Sequence, residues 1–220
     1  MDSSPASSKR PAENPQDLRA QSVRLQSVAR ASPIVRTNIP AEERSEYARI
    51  QGLLEEHLEE FHLDTGEHLP HHARKVAETT GELIPIGVEY LAMRIKAKKV
   101  ALLMYLCETL METHEGRLLL KEVSEDDDEV LRALELLLRH DRNLFDYLEA
   151  IKAHPLACAV KMAELSKVTE LSHMKHRLHR ITVDTCLEEI QNNTMAFLYL
   201  NETISFEAFK ESLLADFEEG

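Results

Sequence analysis

The chain of 220 residues is long enough for one ordinary globular domain with an appendage, since domains typically take about 100 to 200 residues. Charged residues make up 30% and hydrophobic residues 43%, which excludes a disordered polyelectrolyte. No apolar run reaches the roughly 18 residues of a membrane-spanning helix. Only six glycines and eight prolines occur. A protein of many β-strands would need more turn residues, so the composition predicts an all-α fold.

Charge is distributed unevenly along the chain. Residues 1–40 carry six basic and three acidic side chains, which leaves 20 basic and 36 acidic ones for residues 41–220, a net charge of −16. A body this acidic repels nucleic acid and anionic lipid unless a basic face is segregated on it. The charge therefore predicts no nucleic-acid partner and favours a protein partner. The lack of a long apolar run predicts no transmembrane segment.

The N-terminal 40 residues differ in composition from the rest. They consist mainly of Ser, Ala, Pro, Arg and Gln with single aliphatics, which bury too little surface to offset the entropy of ordering. We predict a flexible basic tail over residues 1–40 and a helical domain over residues 41–220. The arginines of the tail would also suit an acidic partner or membrane headgroups.

The cysteines and the N-terminus bear on the compartment. Cys107, Cys158 and Cys186 are an odd number at spacings unlike any metal motif, and the N-terminus lacks the apolar segment of a secretory signal. These features favour a reducing cytoplasm. Import into an organelle, directed by the Arg-rich tail, remains an alternative.

Helical periodicity predicts four elements in the first half of the domain. A helix begins at Pro40, a break follows at 64–66, and a second helix begins near Pro70. A short helix over Val88–Ile95 precedes a central helix over Val100–Met111, which is apolar nearly all round and must be surrounded by neighbours. The predicted inward-facing residues of the first two helices are Tyr47, Ile50, Leu53, Leu54, Leu58 and Phe61, then Val76, Ala77 and Thr80.

The periodicity of the second half of the domain predicts four or five further helices. The whole domain is then a compact bundle of eight or nine helices. The acidic triplet 126–128 caps a helix that ends near Arg139, and Ser205 caps the last one. Between them we predict a helix over 144–151, one from Pro155 onward, and one that Asp184 precedes and that runs toward Tyr199. The predicted buried residues are Val130, Ala133, Leu134, Leu137 and Leu138, then Leu156, Val160, Met162, Ala163 and Leu165, and finally Phe206, Phe209, Leu213, Leu214 and Phe217.

Histidine is the only residue type whose clusters suggest chemistry. The first cluster comprises His57, His62, His68, His71 and His72, which could bind a metal if the side chains converged, although solvated histidines at helix ends are the simpler interpretation. The second comprises His173, His176 and His179, interleaved with Lys175, Arg177 and Arg180. It predicts a cationic strip on a helix, either solvated or able to hold phosphate. The pair His140-Asp141 is interpreted as a polar helix end.

Three stretches carry a resemblance to a known family. Residues 133–139, 145–152 and 154–165, of which Pro155-Leu-Ala and Val160-Lys-Met-Ala are the most specific, are similar to the C-terminal half of HD-domain proteins of the guanosine tetraphosphate (alarmone) hydrolase type. Upstream, His72-Ala-Arg-Lys-Val-Ala77 resembles the region of the family's first metal-binding histidine. The resemblance covers residues 45–200 and implies an all-helical domain with a divalent metal.

Position by position, the resemblance implies a degenerate metal site. His72 matches the first ligand, and Glu164 stands where the family has its last ligand, an aspartate. Met104 and Tyr105 replace the central His-Asp pair, whereas Glu108 keeps the acid that follows it. Lys167 and Val168 replace a His-Asn pair near the nucleotide, Thr109 replaces a second acid, and the segment 81–98 is longer than in the family.

The chemistry of these replacements predicts that the domain has lost its catalytic activity. A thioether and a phenol are poor ligands for Mn²⁺ or Mg²⁺, so only His72 and Glu164 would remain to hold a metal. We therefore expect a catalytically degenerate, HD-like binding or regulatory module with no cofactor and a residual pocket at His72, Met104, Tyr105, Glu108 and Glu164. One alternative is an active Mn²⁺-dependent phosphohydrolase that uses the first histidine cluster on a guanosine tetraphosphate-like nucleotide. The other is an unrelated helical interaction module.

Overall fold

The structure, a computed structural model, describes residues 41–110, 114, 118, 127–138 and 143–218. Within these residues it contains eight α-helices and one short 3₁₀ turn, Val88–Tyr90. The helices are α1 Ala41–Leu58, α2 Leu69–Leu83, α3 Leu91–Leu110, α4 Asp128–Leu137, α5 Leu144–Lys152, α6 Pro155–Arg177, α7 Val183–Leu200 and α8 Phe206–Glu218. The predicted tail over residues 1–40 lies outside the described residues.

The prediction of an all-α bundle of eight or nine helices is confirmed. The described residues contain no β-strand, and their only strand-like feature is an isolated bridge between His62 and His68. The helices belong to one compact unit and share one core of buried apolar side chains. No helix in the described part of the chain is long and apolar enough to cross a bilayer.

Helix α3 occupies the centre of this core. Its residues Val100–Cys107 are all buried, as the all-round apolar sequence predicts. It packs against α1, α2, α4 and α6. Its one buried cation, Lys99, forms an ion pair with Glu46 of α1. A helix with no solvated face is stable only when neighbours cover it on every side, and α3 therefore dictates how the other helices are arranged.

Two helix boundaries differ from the sequence prediction. No separate short helix forms over Val88–Ile95, because only the 3₁₀ turn lies there and α3 already begins at Leu91. Nothing between Leu91 and Val100 breaks a helix, since neither proline nor glycine occurs, and the two predicted pieces are continuous. Phe61 was predicted to face inward and is 46% exposed, because α1 ends at Leu58 and the helical period is lost beyond it.

Local capping explains most of the remaining boundaries. Asp127 accepts hydrogen bonds from the backbone N–H groups of Glu129 and Val130 at the start of α4, as predicted for the acidic triplet. Ser205 accepts one from the N–H of Ala208 at the start of α8, also as predicted. Asp184 is not a cap, because the Thr182 hydroxyl takes that place and Asp184 lies in the first turn of α7. Asp126 and Arg139 lie outside the described residues.

The C-terminal end is joined to the bundle by aromatic contacts. Phe209 of α8 is fully buried, and its ring stacks on that of Tyr199 with centroids 5.1 Å apart and an angle of 6° between planes. Phe145 of α5 meets Phe209 edge-on at 5.7 Å. These contacts place α8 against α5 and α7. The side chains of Leu214 and Phe217, predicted to be buried here, lie outside the described ones.

The central position of α3 leads to a test of stability. Leu102 is fully buried, so Leu102→Ala should lower the free energy of unfolding by about 2–5 kcal/mol through lost apolar burial and the cavity left behind. The matched control is Leu187→Ala, because Leu187 is 60% exposed and its loss should change that free energy by less than about 0.5 kcal/mol. Urea denaturation followed by circular dichroism measures both, and equal effects would contradict the central placement of α3.

Candidate functional site

The predicted pocket residues lie on three helices that pack together. His72 is on α2, Met104 and Tyr105 are on α3, and Glu164 is on α6. These three helices contact one another pairwise. His72, Met104 and Tyr105 are buried, with 3%, 4% and 8% of their surface exposed, and Glu164 is half-buried. The structure thus brings residues far apart in sequence to one region, which we call the α2–α3–α6 crevice.

His72 and Tyr105 are in direct contact. Their rings meet edge to face, with centroids 5.5 Å apart and an interplanar angle of 88°. The nearest carboxylate to the imidazole is that of Glu67, whose Oε2 lies 3.8 Å from Nδ1. Burial lowers the pKa of His72, and the carboxylates of Glu67 and Glu164 only partly oppose this effect. A neutral imidazole packed against a phenol ring is the result.

Tyr105 fills the middle of the crevice as a neutral phenol. Burial raises its pKa well above the usual value of 10.0, and the negative charges of Glu164, Glu108 and Glu67 raise it further. Those three carboxylates are therefore the negative charges that act on the phenol. Glu108 itself is exposed near the end of α3, so it lies at the edge of the crevice and not inside it.

Glu164 is engaged by a lysine of its own helix. The Nζ atom of Lys161 lies 2.9 Å from Oε2 of Glu164, and the two side chains are only 18% and 23% exposed. The same ammonium lies 5.5 Å from the centre of the Tyr147 ring. Burial alone would lower the pKa of Lys161, but attraction to Glu164 and Tyr147 raises it above its usual value. The carboxylate of Glu164 is thus already paired with a cation.

Glu67 is paired in a similar way. Its Oε1 lies 2.6 Å from Nζ of Lys75, and its side chain is only 10% exposed. Lys167 pairs with Glu170 at 2.8 Å and also contributes to lowering the pKa of His72. Lysines on α2 and α6 therefore compensate the carboxylates that face His72 and Tyr105.

The side chains of the crevice do not fit a divalent metal. No group of three or more His, Cys, Asp or Glu side chains among the described residues lies close enough together to hold one. The thioether of Met104 and the phenol of Tyr105 are weak ligands for Mn²⁺ or Mg²⁺. The ammonium of Lys161 would also repel such an ion from Glu164. No step of chemistry through a metal follows from this arrangement.

Sequence reasoning missed three participants in the crevice. Glu67 lies in the loop before α2, Tyr147 on α5 and Lys161 on α6. The pair Lys161 and Glu164 could have been found, because residues three apart on a helix share a face. The sequence gives no comparable pattern for Glu67 or Tyr147. Only the packing of distant segments brings Glu67 near Tyr105 and Tyr147 near Lys161.

The remaining histidines do not join the crevice. His62, His68 and His71 are exposed, and the rings of His62 and His68 lie 4.1 Å apart at the isolated bridge. For these three, the interpretation as solvated histidines agrees with the structure. It is wrong for His72, which is buried because α2 turns this position toward α3.

The second histidine cluster is interrupted by the end of α6. The helix ends at Arg177, and His179 follows in a left-handed conformation with φ of 56°. The predicted continuous strip is therefore wrong at His179, because the left-handed His179 lets the Arg180 N–H bond to the Lys175 carbonyl and its own N–H bond to the His176 carbonyl, which closes the helix. The Nδ1 atom of His176 is buried and has no hydrogen-bond partner among the described residues. His140 and Asp141 lie outside the described residues.

A separate groove lies between α6 and α7. It has a volume of about 210 Å³ and is lined by Leu165, Ser166, Thr169, Asn193, Thr194 and Phe197. None of the predicted pocket residues lines it. The Thr169 hydroxyl already donates to the carbonyl of Leu165. The groove thus has a mixed apolar and hydroxyl lining without a charged group.

Comparisons with known proteins give no relative for this chain. No protein-family pattern, no curated protein and no solved structure matches it significantly.

The buried state of His72 predicts a pH dependence of stability. Its pKa is lowered in the folded protein from the ordinary 6.5, so the unfolded chain takes up a proton here at a higher pH than the folded protein does. The free energy of unfolding should therefore decrease as the pH falls below about 6.5 toward the lowered value, and it should be fully retained above that window.

His72→Gln should remove this contribution and flatten the dependence of the unfolding free energy on pH between about pH 7 and pH 5. His71→Gln is the matched control, because the His71 side chain is 56% exposed. Urea denaturation at several pH values measures the slope, and an unchanged slope in His72→Gln would show that this imidazole is not buried in its neutral form.

Proposed function

We propose that this chain is a degenerate helical domain of the HD-hydrolase type that acts as a binding or regulatory module and not as a catalyst. The observation that carries the proposal is the contact of His72 with Tyr105 beside Glu164. In the resembling enzymes, these positions would be metal ligands on three separate helices. Their meeting in one place is what an HD-type arrangement of these helices requires.

The chemistry of the crevice supports the loss of turnover. A metal-bound water supplies several kcal/mol of transition-state stabilisation in hydrolases of this kind, and each ~1.4 kcal/mol changes the rate tenfold. In this chain, a phenol and a thioether fill the space, and Lys161 supplies the positive charge beside Glu164. An ammonium neutralises a carboxylate but cannot lower the pKa of a water as a metal ion does.

The binding role rests on what remains accessible at the edge of the crevice. Glu108 is exposed, and Glu164, Lys161 and Lys167 are partly exposed. These groups could hold a nucleotide or a protein partner without cleaving it. A reducing compartment such as the cytoplasm suits the three cysteines, which are all free thiols in the described part of the chain. Burial raises the pKa of Cys107 to about 12, which keeps this thiol unreactive.

A direct assay tests the absence of turnover. Protein purified without chelator and incubated with guanosine tetraphosphate and Mn²⁺ should release no pyrophosphate above a protein-free control, since no metal-activated water is available. Elemental analysis of the same preparation should find no stoichiometric Mn, Fe or Zn. Release of pyrophosphate that His72→Ala abolishes would overturn the proposal in favour of an active hydrolase.

Nucleotide binding separates the proposal from the remaining alternative. Calorimetric titration with guanosine tetraphosphate that shows binding, weakened by Lys167→Gln, supports a retained ligand crevice, because the anionic phosphates require a cation at its edge. An absence of both binding and turnover would favour a helical interaction module with no relation to the HD domains.

Rebuilding the central ligand pair tests the resemblance itself. In the double variant Met104→His with Tyr105→Asp, Mn²⁺ should raise the melting temperature by about 5 °C, because a ligand that binds only the folded state stabilises it. Mn²⁺ should leave the wild-type melting temperature unchanged. The matched control adds His72→Ala to the double variant and should cancel the stabilisation. An equal effect of Mn²⁺ with and without His72 would contradict an HD-type arrangement of these three helices.

A further inference from the structure

The end of α6 and the start of α7 carry a concentration of basic side chains. Lys175, Arg177 and Arg180 lie within six residues, of which Arg177 and Arg180 are exposed and Lys175 is half-buried. None of the three forms an ion pair with another residue in the described ranges. The segment therefore concentrates positive charge on a body whose residues 41–220 have a net charge of −16.

Many lysines elsewhere on the domain are paired with carboxylates. On α6 itself, Lys161 pairs with Glu164 at 2.9 Å and Lys167 pairs with Glu170 at 2.8 Å. On α3, Lys96 lies 2.9 Å from Glu129. Other described cations, such as Arg132 and Lys210, also lack an ion pair with a described residue, but Lys175, Arg177 and Arg180 differ from them in lying within six residues of one another.

Exposed aliphatic side chains occur in the same stretch of the sequence as these cations. Leu178 is 48% exposed in the turn after α6, and Val183 and Leu187 on α7 are 54% and 60% exposed. Val183 and Leu187 are four residues apart and therefore share one face of α7. We call the six residues together the α6–α7 surface.

A purely structural role explains only part of this surface. Cations in the last turn of a helix interact favourably with its carbonyl end, which accounts for Lys175 and Arg177. This effect gives no reason for three aliphatic side chains to remain in solvent next to them. Aliphatic side chains surrounded by charge are typical of binding sites for another macromolecule.

We infer that the α6–α7 surface binds an acidic protein segment that carries aliphatic side chains. The guanidinium groups of Arg177 and Arg180 suit carboxylates, which they can bind with two parallel hydrogen bonds. Leu178, Val183 and Leu187 would cover aliphatic side chains of the same segment. This surface is separate from the α2–α3–α6 crevice, so the inference does not depend on the function proposed for the crevice.

The charge of the whole domain favours a protein segment over a membrane or a nucleic acid. A bilayer is a wide plane that would also approach the acidic remainder of the body, whose net charge repels anionic lipid. Asp184 and Glu188 are exposed and adjoin the aliphatic residues on α7, so the carboxylates of a bound segment would have to lie at Arg177 and Arg180 and its aliphatic side chains over α7. A short segment needs to touch only the basic and aliphatic side chains.

The experiment uses the full chain and a defined probe. A fluorescein-labelled synthetic peptide built from repeated Glu-Glu-Leu-Leu should bind the wild type in a fluorescence anisotropy titration. The double variant Arg177→Glu with Arg180→Glu should bind the peptide about tenfold more weakly, because two attractive contacts become repulsive. Leu187→Ser should weaken binding by a few-fold, and added salt should weaken binding by the wild type.

Matched controls separate this surface from a general effect of charge or folding. Arg132→Glu with Lys210→Glu makes the same change of charge at two other exposed positions, and Val88→Ser removes another exposed aliphatic side chain, which is 82% exposed. Both control proteins should bind the peptide as the wild type does. Circular dichroism spectra should be the same for all variants.

Several outcomes would overturn the inference. One is an absence of peptide binding by the wild type, and another is an equal loss of binding in the control with Arg132 and Lys210 changed. A third is binding to vesicles of phosphatidylcholine and phosphatidylserine, or to a single-stranded RNA, without binding to the peptide. That result would assign the surface to lipid or to nucleic acid instead.

Discussion

The burial of α3 on all sides is the constraint on which the rest of the structure depends. Eight consecutive residues, Val100–Cys107, have no solvated face, so α1, α2, α4 and α6 must cover them. Each fully buried aliphatic side chain contributes roughly 1.5–3 kcal/mol relative to an exposed one, and an isolated α3 would leave all of them in water. The packing around α3 therefore sets which residues of the covering helices come together.

The composition of the crevice follows from that constraint. His72 and Glu164 lie where α2 and α6 both contact α3, and the side chains that α3 offers there are Met104 and Tyr105. A buried phenol tolerates neighbouring carboxylates only in its neutral form, and the raised pKa of Tyr105 reflects this. Lys161 pairs with Glu164, and Lys75 pairs with Glu67. Without these cations, both carboxylates would lie in a region of low dielectric constant with no counter-charge. Pairing with lysines thus accounts for the two partly buried carboxylates of this site, Glu67 and Glu164.

The sequence predicted those features that depend on local chemistry or on an all-round pattern. The apolar run of α3, the cap at Asp127 and the cap at Ser205 belong to this kind. The prediction that Phe61 faces inward was wrong, because periodicity does not show where a helix ends. The prediction that His179 continues the cationic strip was wrong for the same reason. The three-residue spacing of the histidines extends past the residue at which α6 ends.

The crevice was only partly predictable, for a different physical reason. The resemblance indicated His72, Tyr105 and Glu164, but the two residues that set their electrostatics, Glu67 and Lys161, have no motif of their own. Glu67 is near His72 in sequence, yet its effect on Tyr105 depends on how α2 packs on α3. Such contacts arise from tertiary packing, which a single sequence does not reveal.

Helix α6 connects the two surfaces for which binding is proposed. It carries Glu164 in the crevice and Arg177 at its end, thirteen residues apart, which at 1.5 Å per residue is about 20 Å along one helix. That distance exceeds the Debye length of about 8 Å at physiological salt, so the charge of a ligand at one surface is largely screened at the other. Any coupling between them would therefore require α6 to move as a whole against α3. Because α3 is covered on every side, such a movement would disturb the core, and the two surfaces should bind their ligands independently.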